Sequence, residues 1–342
     1  MEKLSQLIIF AVICLCINQI HAQRKVSDIT GTQVVLPDKI ERIADSWPAH
    51  NAIVTMLGYG DKIVATVVSE RMCPWLYKIN PAMKNAVLAF SPNATGSVEE
   101  LVKVRPDIVF LTALHANAEA IKRAGMTPFS LSLSDFPTLR SCVLMTAEAL
   151  GGEAKEKAEK YAVYLDDITE KIGRKTESVP SNERPRVLHL SNINPFSADG
   201  KGSMMDSWIK LAGGVNVVGE VTGANRQVSA EQLIIWDPDI IIVGNTSNDI
   251  TETAITNNPV LKNIKAVKDK KVYINPKGMF FWDRYSAEAI LQLQWAAKIF
   301  YPEKFKEIDI TSETVDFYKT FFDYPLSNEE AEMIIKGIPP KK

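Results

Sequence analysis

The chain has 342 residues, 46% of them apolar and 23% charged, the composition of a globular protein with room for one large core or two ordinary ones. A formal charge of −2 gives no electrostatic footprint for a nucleic acid or an anionic membrane. Beyond the first residues, no stretch reaches the ~20 apolar residues that a membrane span needs.

At the start, Lys3 precedes an apolar run from Leu7 to Ile17, and "QIHAQ" offers a small residue for cleavage after Ala22. Residues 1–22 are therefore expected to be a secretory signal peptide, with the mature protein in the periplasm. Neither Cys14 nor Cys16 follows the small residue that lipoprotein processing prefers, which argues against a lipid anchor. With the signal removed, Cys73 and Cys142 remain. They form one disulfide, or they sit apart as small buried hydrophobes, and spacing does not choose between the two.

From residue 23 to 150, strands and helices alternate. "RIADSW" and "KIVATVVS" read as short strands around a helix from about Pro48 to Leu57 that Gly58 ends. "DIVFL" and "TPFSLSL" follow, separated by a helical "ANAEAIKRAG". Apolar strands of this length between helices imply a parallel sheet covered on both faces.

Residues 151–178 differ in texture. "EAKEKAEKYAVYLDDITEKIGRK" lacks glycine until Gly173, and Tyr161, Leu165, Ile168 and Ile172 fall at helical spacing, which predicts one long amphipathic helix. "SVPSNERPR" breaks the chain with two prolines, and the alternation restarts from 179 to 342 with "VLHLSN", "DIIIVGN" and "KVYIN". The predicted fold is α/β: two Rossmann-like lobes with parallel sheets, joined by one long rigid α-helix.

One sentence of sequence occurs twice, once in each lobe: "SVEELVKVRPDIVFL" at 97–111 and "SAEQLIIWDPDIIIV" at 229–243. Ser97 with Glu100, and Ser229 with Gln232, have the spacing of a helix capping box. Pro106 and Pro238 then stop each helix ahead of a buried strand. Glu99 and Glu231 are not needed for the caps. A first-turn carboxylate gains ~0.3–1 kcal/mol from the helix dipole, but two at equivalent points of two lobes also make a matched pair of docking pegs.

These segments, together with "RIADSWPAHNAIVTMLGYGDKIVATV", the long helix and "MDSWIKLAGGVNV", occur in the order found in a known family. The chain resembles the substrate-binding proteins of ATP-binding-cassette importers, in the helical-backbone class that delivers ferric siderophores, haem and cobalamin. The resemblance implies that Glu99 and Glu231 bind arginines on two permease subunits in the inner membrane. It also implies a small-molecule metal chelate, with a ferric siderophore leading and cobalamin, haem or a molybdate-like oxyanion as alternatives. A monomer without a cofactor of its own is expected, since such a carrier presents both lobes at once.

Ligands of parallel α/β sheets bind outside the carboxyl ends of the strands, so loops after strands supply the candidate contacts. They are Trp47, His50, Arg71 and Trp75 in the first lobe, and Asn192, Arg226, Trp282, Arg284 and Tyr285 in the second. Aromatics beside arginines suit a large anionic chelate: Trp and Tyr supply apolar area with a polar edge, and Arg forks onto carboxylate or catecholate oxygen. Trp47 and Trp282 have a competing reading as core residues, and Arg284 as the partner of Asp283. His189 lies within a strand and reads as a satisfied core histidine, whereas His50 and His115 are placed to approach the cleft. No H-x-H or C-x-x-C spacing marks a metal site. An exported α/β enzyme is the contrasting hypothesis, but no G-x-S-x-G, P-loop, H-E-x-x-H or strand-linked G-x-G-x-x-G is present.

Overall fold

The computed structural model describes residues 23–90, 97–113, 115–244 and 252–341; the expected signal peptide lies outside them. The chain opens with an antiparallel hairpin of β1 (Gln23–Ser27) and β2 (Gln33–Pro37), which the pattern analysis did not anticipate. Arg24 fastens it by donating to the carbonyls of Glu148, Ala149 and Leu150, orphan acceptors at the end of the helix Phe136–Leu150.

The first lobe is built on β3 (Ile43–Asp45), β4 (Ile63–Thr66), β5 (Val87–Leu88), β6 (Ile108–Thr112) and β7 (Pro128–Leu131). They form a five-stranded sheet in the order β5-β4-β3-β6-β7, and every pairing is parallel. The second sheet contains β8 (Arg186–Ile193), β9 (Phe196–Ala198), β10 (Val215–Asn216), β11 (Arg226–Gln227), β12 (Ile240–Val243) and β13 (Val272–Ile274). Its order is β11-β9-β8-β12-β13, with β10 beside β8. Pairings among β8, β10, β12 and β13 are parallel, whereas β9 and β11 run antiparallel. The centre of the sheet is thus parallel, as expected, with an antiparallel pair added at one edge. Strands of two and three residues carry too little pattern to be read from sequence.

Between the sheets runs one helix, Ala154–Glu177. Tyr161, Leu165 and Ile172 are buried, and Ile168 is partly buried against the same core. Gly173 does not stop the helix, which continues to Glu177 and packs beside the helix Met204–Leu211. One apolar cluster extends from the first sheet along this helix into the late helices Ala289–Phe300, Ile310–Phe321 and Asn328–Ile335. A second cluster fills the other face of the second sheet. Cys73 and Cys142 are free, buried thiols, and burial raises each to about 12, so of the two sequence readings the small-hydrophobe one holds.

The repeated segments adopt one geometry twice. Ser97 accepts from the Glu100 amide and Ser229 from the Gln232 amide, capping the helices Val98–Val104 and Ala230–Trp236. Only the second box is reciprocal, with Gln232 accepting from the Ser229 amide; Glu100 turns instead to Lys103. Both helices end on a left-handed residue, Arg105 and Asp237. The aspartates that follow each proline then lock the sheets. Asp107 accepts from the Arg42 amide ahead of β3, and Asp239 accepts from the Arg186 amide that opens β8. Arg42 and Arg186 return the bond, donating to the helix-end carbonyls of Val104 and Trp236. The duplicated sentence is therefore a fold-building module that joins helix end, central strand and neighbouring strand.

Candidate functional site

In the first lobe β3 ends at Asp45, whose buried carboxylate accepts from the Trp47 amide at 3.1 Å and pairs with His50 Nδ1 at 2.8 Å. His50 Nε2 lies 2.9 Å from the Thr146 hydroxyl. With both ring nitrogens engaged and 1% of its surface exposed, His50 is an interior residue of the lobe, and its assignment to the ligand is corrected. Its place in the site is indirect, because Trp47 lies nearly parallel to it, at 6.1 Å between ring centroids and 13° between planes. Trp47 remains half-exposed, and its indole meets Tyr285 of the second lobe at 6.3 Å. Those two rings close the gap between the lobes.

Behind Tyr285 is a cluster of charged side chains. His189, on the central strand β8, is fully buried between Asp199 Oδ2 at 2.7 Å and Asp283 Oδ2 at 2.9 Å. The first contact is an aligned hydrogen bond; the second is an ion contact off the hydrogen-bonding direction. Burial pulls the His189 pKa down, but the bonds and charges of the two aspartates outweigh it, leaving the imidazole more basic than usual. Burial raises Asp199, and the bond and charge of His189, with Arg284 and the Asn225 amide, more than reverse it, holding that carboxyl below its ordinary value. Arg284 stands in front of the acids, 8% exposed, with contacts of 3.7 Å to Asp199 and 3.9 Å to Asp283. One of its terminal nitrogens donates to Asn225 Oδ1 at 3.4 Å, and its Nε has no hydrogen-bond acceptor among the described residues. Gly244, at the end of β12, makes room for this packing, since a Cβ would fall 2.7 Å from the His189 ring.

The loop that carries Arg284 and Tyr285 is tied down from beneath. Glu288, fully buried, accepts from the amides of Met279 at 3.1 Å and Phe280 at 2.9 Å, from the Trp282 indole at 3.1 Å, and from the hydroxyls of Ser286 and Tyr318. Burial pushes its pKa above the ordinary carboxylate value, and those donors offset only part of the effect. Trp282 is consequently buried and faces away from the cleft, which corrects its assignment as a ligand contact. It was indistinguishable from Trp47 in sequence, since both follow strands.

Arg71 and Trp75 come together elsewhere. Arg71 is exposed, and Trp75, 1% exposed, donates its indole N–H to the Ile338 carbonyl at 2.9 Å. Both line a cavity of about 210 Å³ that Lys277 and the segment Gly337–Pro339 complete. Asn192 is spent on its own turn, accepting from the amides of Ile193 and Asn194. Arg226 is exposed on edge strand β11, its Nε donating to the Thr222 carbonyl, one residue from the Asn225 that Arg284 contacts. His115 is buried beside Phe90, and burial lowers its pKa. Asp199 and Asn225, which hold Arg284, were not selected as a pair from sequence. Among the described residues no group of three His, Cys, Asp or Glu side chains is arranged to hold a metal ion.

Glu99 and Glu231 are both exposed in the first turns of the twin helices. Glu231 is held below the usual carboxylate value by its own backbone N–H and by the Ser229 hydroxyl. Exposed apolar side chains flank them on the same helices: Val102 on one, Ile234 and Ile235 on the other.

Comparison with known proteins agrees with this architecture. Residues 48–278 match the family model described as periplasmic binding protein. The molybdate-binding protein MolA of Haemophilus influenzae is 25% identical, aligned over 94% of this chain and 97% of its own. The Fe(3+)-citrate-binding protein YfmC of Bacillus subtilis is 24% identical over 74% of this chain and 76% of its own. Among solved structures, a periplasmic solute binding protein from Veillonella parvula superposes with a TM-score of 0.81 at 27% identity, covering 92% of this chain and 97% of that one. MolA bound to molybdate superposes with a TM-score of 0.79 at 22% identity, covering 89% and 99%. With two lobes on one linking helix and a family match over most of its length, the chain belongs to the periplasmic binding proteins that serve as substrate-binding components of ABC importers.

Proposed function

We propose that this binding protein carries a small tetrahedral oxyanion of the molybdate type in the gap between the lobes and delivers it to an inner-membrane permease. The observation that carries the reading is Arg284: a buried guanidinium beside Asp199 and Asp283, next in the chain to Tyr285, whose ring meets Trp47 of the other lobe. A guanidinium whose terminal nitrogen makes only long contacts, 3.4 Å to Asn225 and 3.7 Å to Asp199, retains donor capacity for an anion. The two rings stand 6.3 Å apart between centroids, in contact with each other, so they must part to admit a ligand, and a tetrahedral ion requires a smaller parting than a ferric siderophore. The similarity to MolA along almost the whole of both chains supports the same reading.

The ferric chelate expected from the sequence is the second reading, favoured by the similarity to YfmC. Calorimetric titration of the purified protein with molybdate, tungstate, sulfate and a ferric catecholate distinguishes them. Molybdate is expected to bind saturably, and Arg284→Gln to weaken it at least about tenfold, ~1.4 kcal/mol. Tight binding of the ferric chelate with no response to molybdate would replace the oxyanion by a siderophore. We further propose export by residues 1–22, action as a monomer without enzymatic turnover, and docking of Glu99 and Glu231 onto cationic permease residues. Their exposure on equivalent capped helices supports the docking role.

A further inference from the structure

We propose a second anion site, separate from Arg284, in which Arg71 and Lys277 hold the carboxylate of a small aromatic or aliphatic acid against Pro74 and Ile338. The site is the cavity of about 210 Å³ bounded by residues 70–75 of the first lobe, Lys277 of the second, and the segment Gly337–Pro339. It stands whether or not the Arg284 reading holds, because it shares no side chain with that cluster.

Lys277 is the reason to expect a ligand. It is 9% exposed and lines the cavity, yet no carboxylate lies within ion-pair reach of its ammonium among the described residues. Its described contact is the face of Phe281, 4.5 Å from the ring centroid. Cys73, buried nearby, offers no counter-charge, because its thiol is pushed up to about 12. The acid that lines the cavity, Glu70, faces Lys84 at 3.7 Å. Burial also lowers the Lys277 pKa, the direction expected of an ammonium drawn from water without an ionic partner. A nine-tenths-buried cation kept in that condition costs stability unless an anion shares the space.

The chemistry of the walls selects the class of anion. Arg71 supplies a planar fork and Lys277 a point charge, the pair of donors a carboxylate takes on its two oxygens. Pro74 and Ile338 give the rest of the molecule an apolar surface, which inorganic sulfate or phosphate does not use. The cavity spans both lobes and Gly337–Pro339, so its occupant would hold them in their present relation.

The test uses the full mature protein and 4-fluorobenzoate followed by ¹⁹F NMR, with inorganic sulfate as competitor and molybdate as a separate titrant. Saturable binding at roughly millimolar 4-fluorobenzoate is expected. Lys277→Met and Arg71→Gln should each weaken it at least tenfold, Lys277→Arg should retain it, and Arg284→Gln should leave it unchanged. Because Arg71 is exposed, Arg71→Gln keeps the test valid even if a change at buried Lys277 impairs folding. Three outcomes overturn the proposal: no saturation in the wild type, binding that survives both Arg71→Gln and Lys277→Met, or binding lost in Arg284→Gln. Displacement of the probe by equimolar sulfate would also overturn it, since the apolar wall would then contribute nothing. Loss of molybdate binding in Arg284→Gln bears on the Arg284 reading alone, whereas its loss in Arg71→Gln or Lys277→Met would merge the two sites and overturn the proposal.

Discussion

Replacing Glu288 should loosen the loop that presents Arg284 and Tyr285 more than any other single change in this region. Its carboxyl gathers donors from Met279, Phe280, Trp282, Ser286 and Tyr318, all inside the protein. A hydrogen bond to a charged acceptor contributes ~1.5–3 kcal/mol, and each buried donor left without a partner costs ~1–3 kcal/mol. Partial relaxation prevents these values from summing, so Glu288→Ala is expected to cost about 4 kcal/mol, more than any one of these bonds and less than their total. Glu288→Gln keeps the shape and one acceptor oxygen but turns an amide toward backbone donors, so about 1–2 kcal/mol is expected. Urea unfolding should show a lower midpoint at unchanged slope for both, and calorimetry should show weaker ligand binding for Glu288→Ala. Wild-type stability and affinity in Glu288→Ala would refute the claim that this carboxylate organises the loop.

Other consequences can be measured with the same material. Gly278→Ala would place a Cβ 1.9 Å from the Glu288 carboxylate and 2.1 Å from the Tyr318 hydroxyl, so it should destabilise about as much as Glu288→Ala and not additively with it; additive losses would separate the two sites. His189 has a folded-state pKa raised above 6.5, so its contribution is complete below that pH and is lost as pH rises through the folded value. Stability of the wild type should therefore fall from about pH 6.5 upward more steeply than that of His189→Asn, and parallel curves would exclude a protonated His189. Exchanging both Glu99 and Glu231 for Arg should leave ligand affinity unchanged while abolishing stimulation of the importer's ATPase; undiminished stimulation would remove the docking assignment.

Local chemistry made much of this molecule legible before any coordinates. The βα rhythm, the long helix with Tyr161, Leu165 and Ile172 on one stripe, and the repeated Ser-to-Pro sentence all depend on residues within a few positions of one another, and they hold in the structure. Two free thiols, the antiparallel β9 and β11, and the β1–β2 hairpin were not legible, since short strands and cysteine partners are chosen by distant segments.

The site divides in the same way. Sequence placed Trp47, His50, Trp75, Trp282, Arg284 and Tyr285 in loops after strands, and that much follows from strand order alone. Which of them turn outward was decided by partners far along the chain: Thr146 takes His50 inward, the Ile338 carbonyl takes the indole of Trp75, and Glu288 takes that of Trp282. Trp47 and Tyr285 stay partly exposed between the lobes, where their rings meet each other. A polar edge on an aromatic side chain points wherever a buried acceptor exists, and the location of that acceptor is a property of the assembled lobes, not of the neighbouring residues.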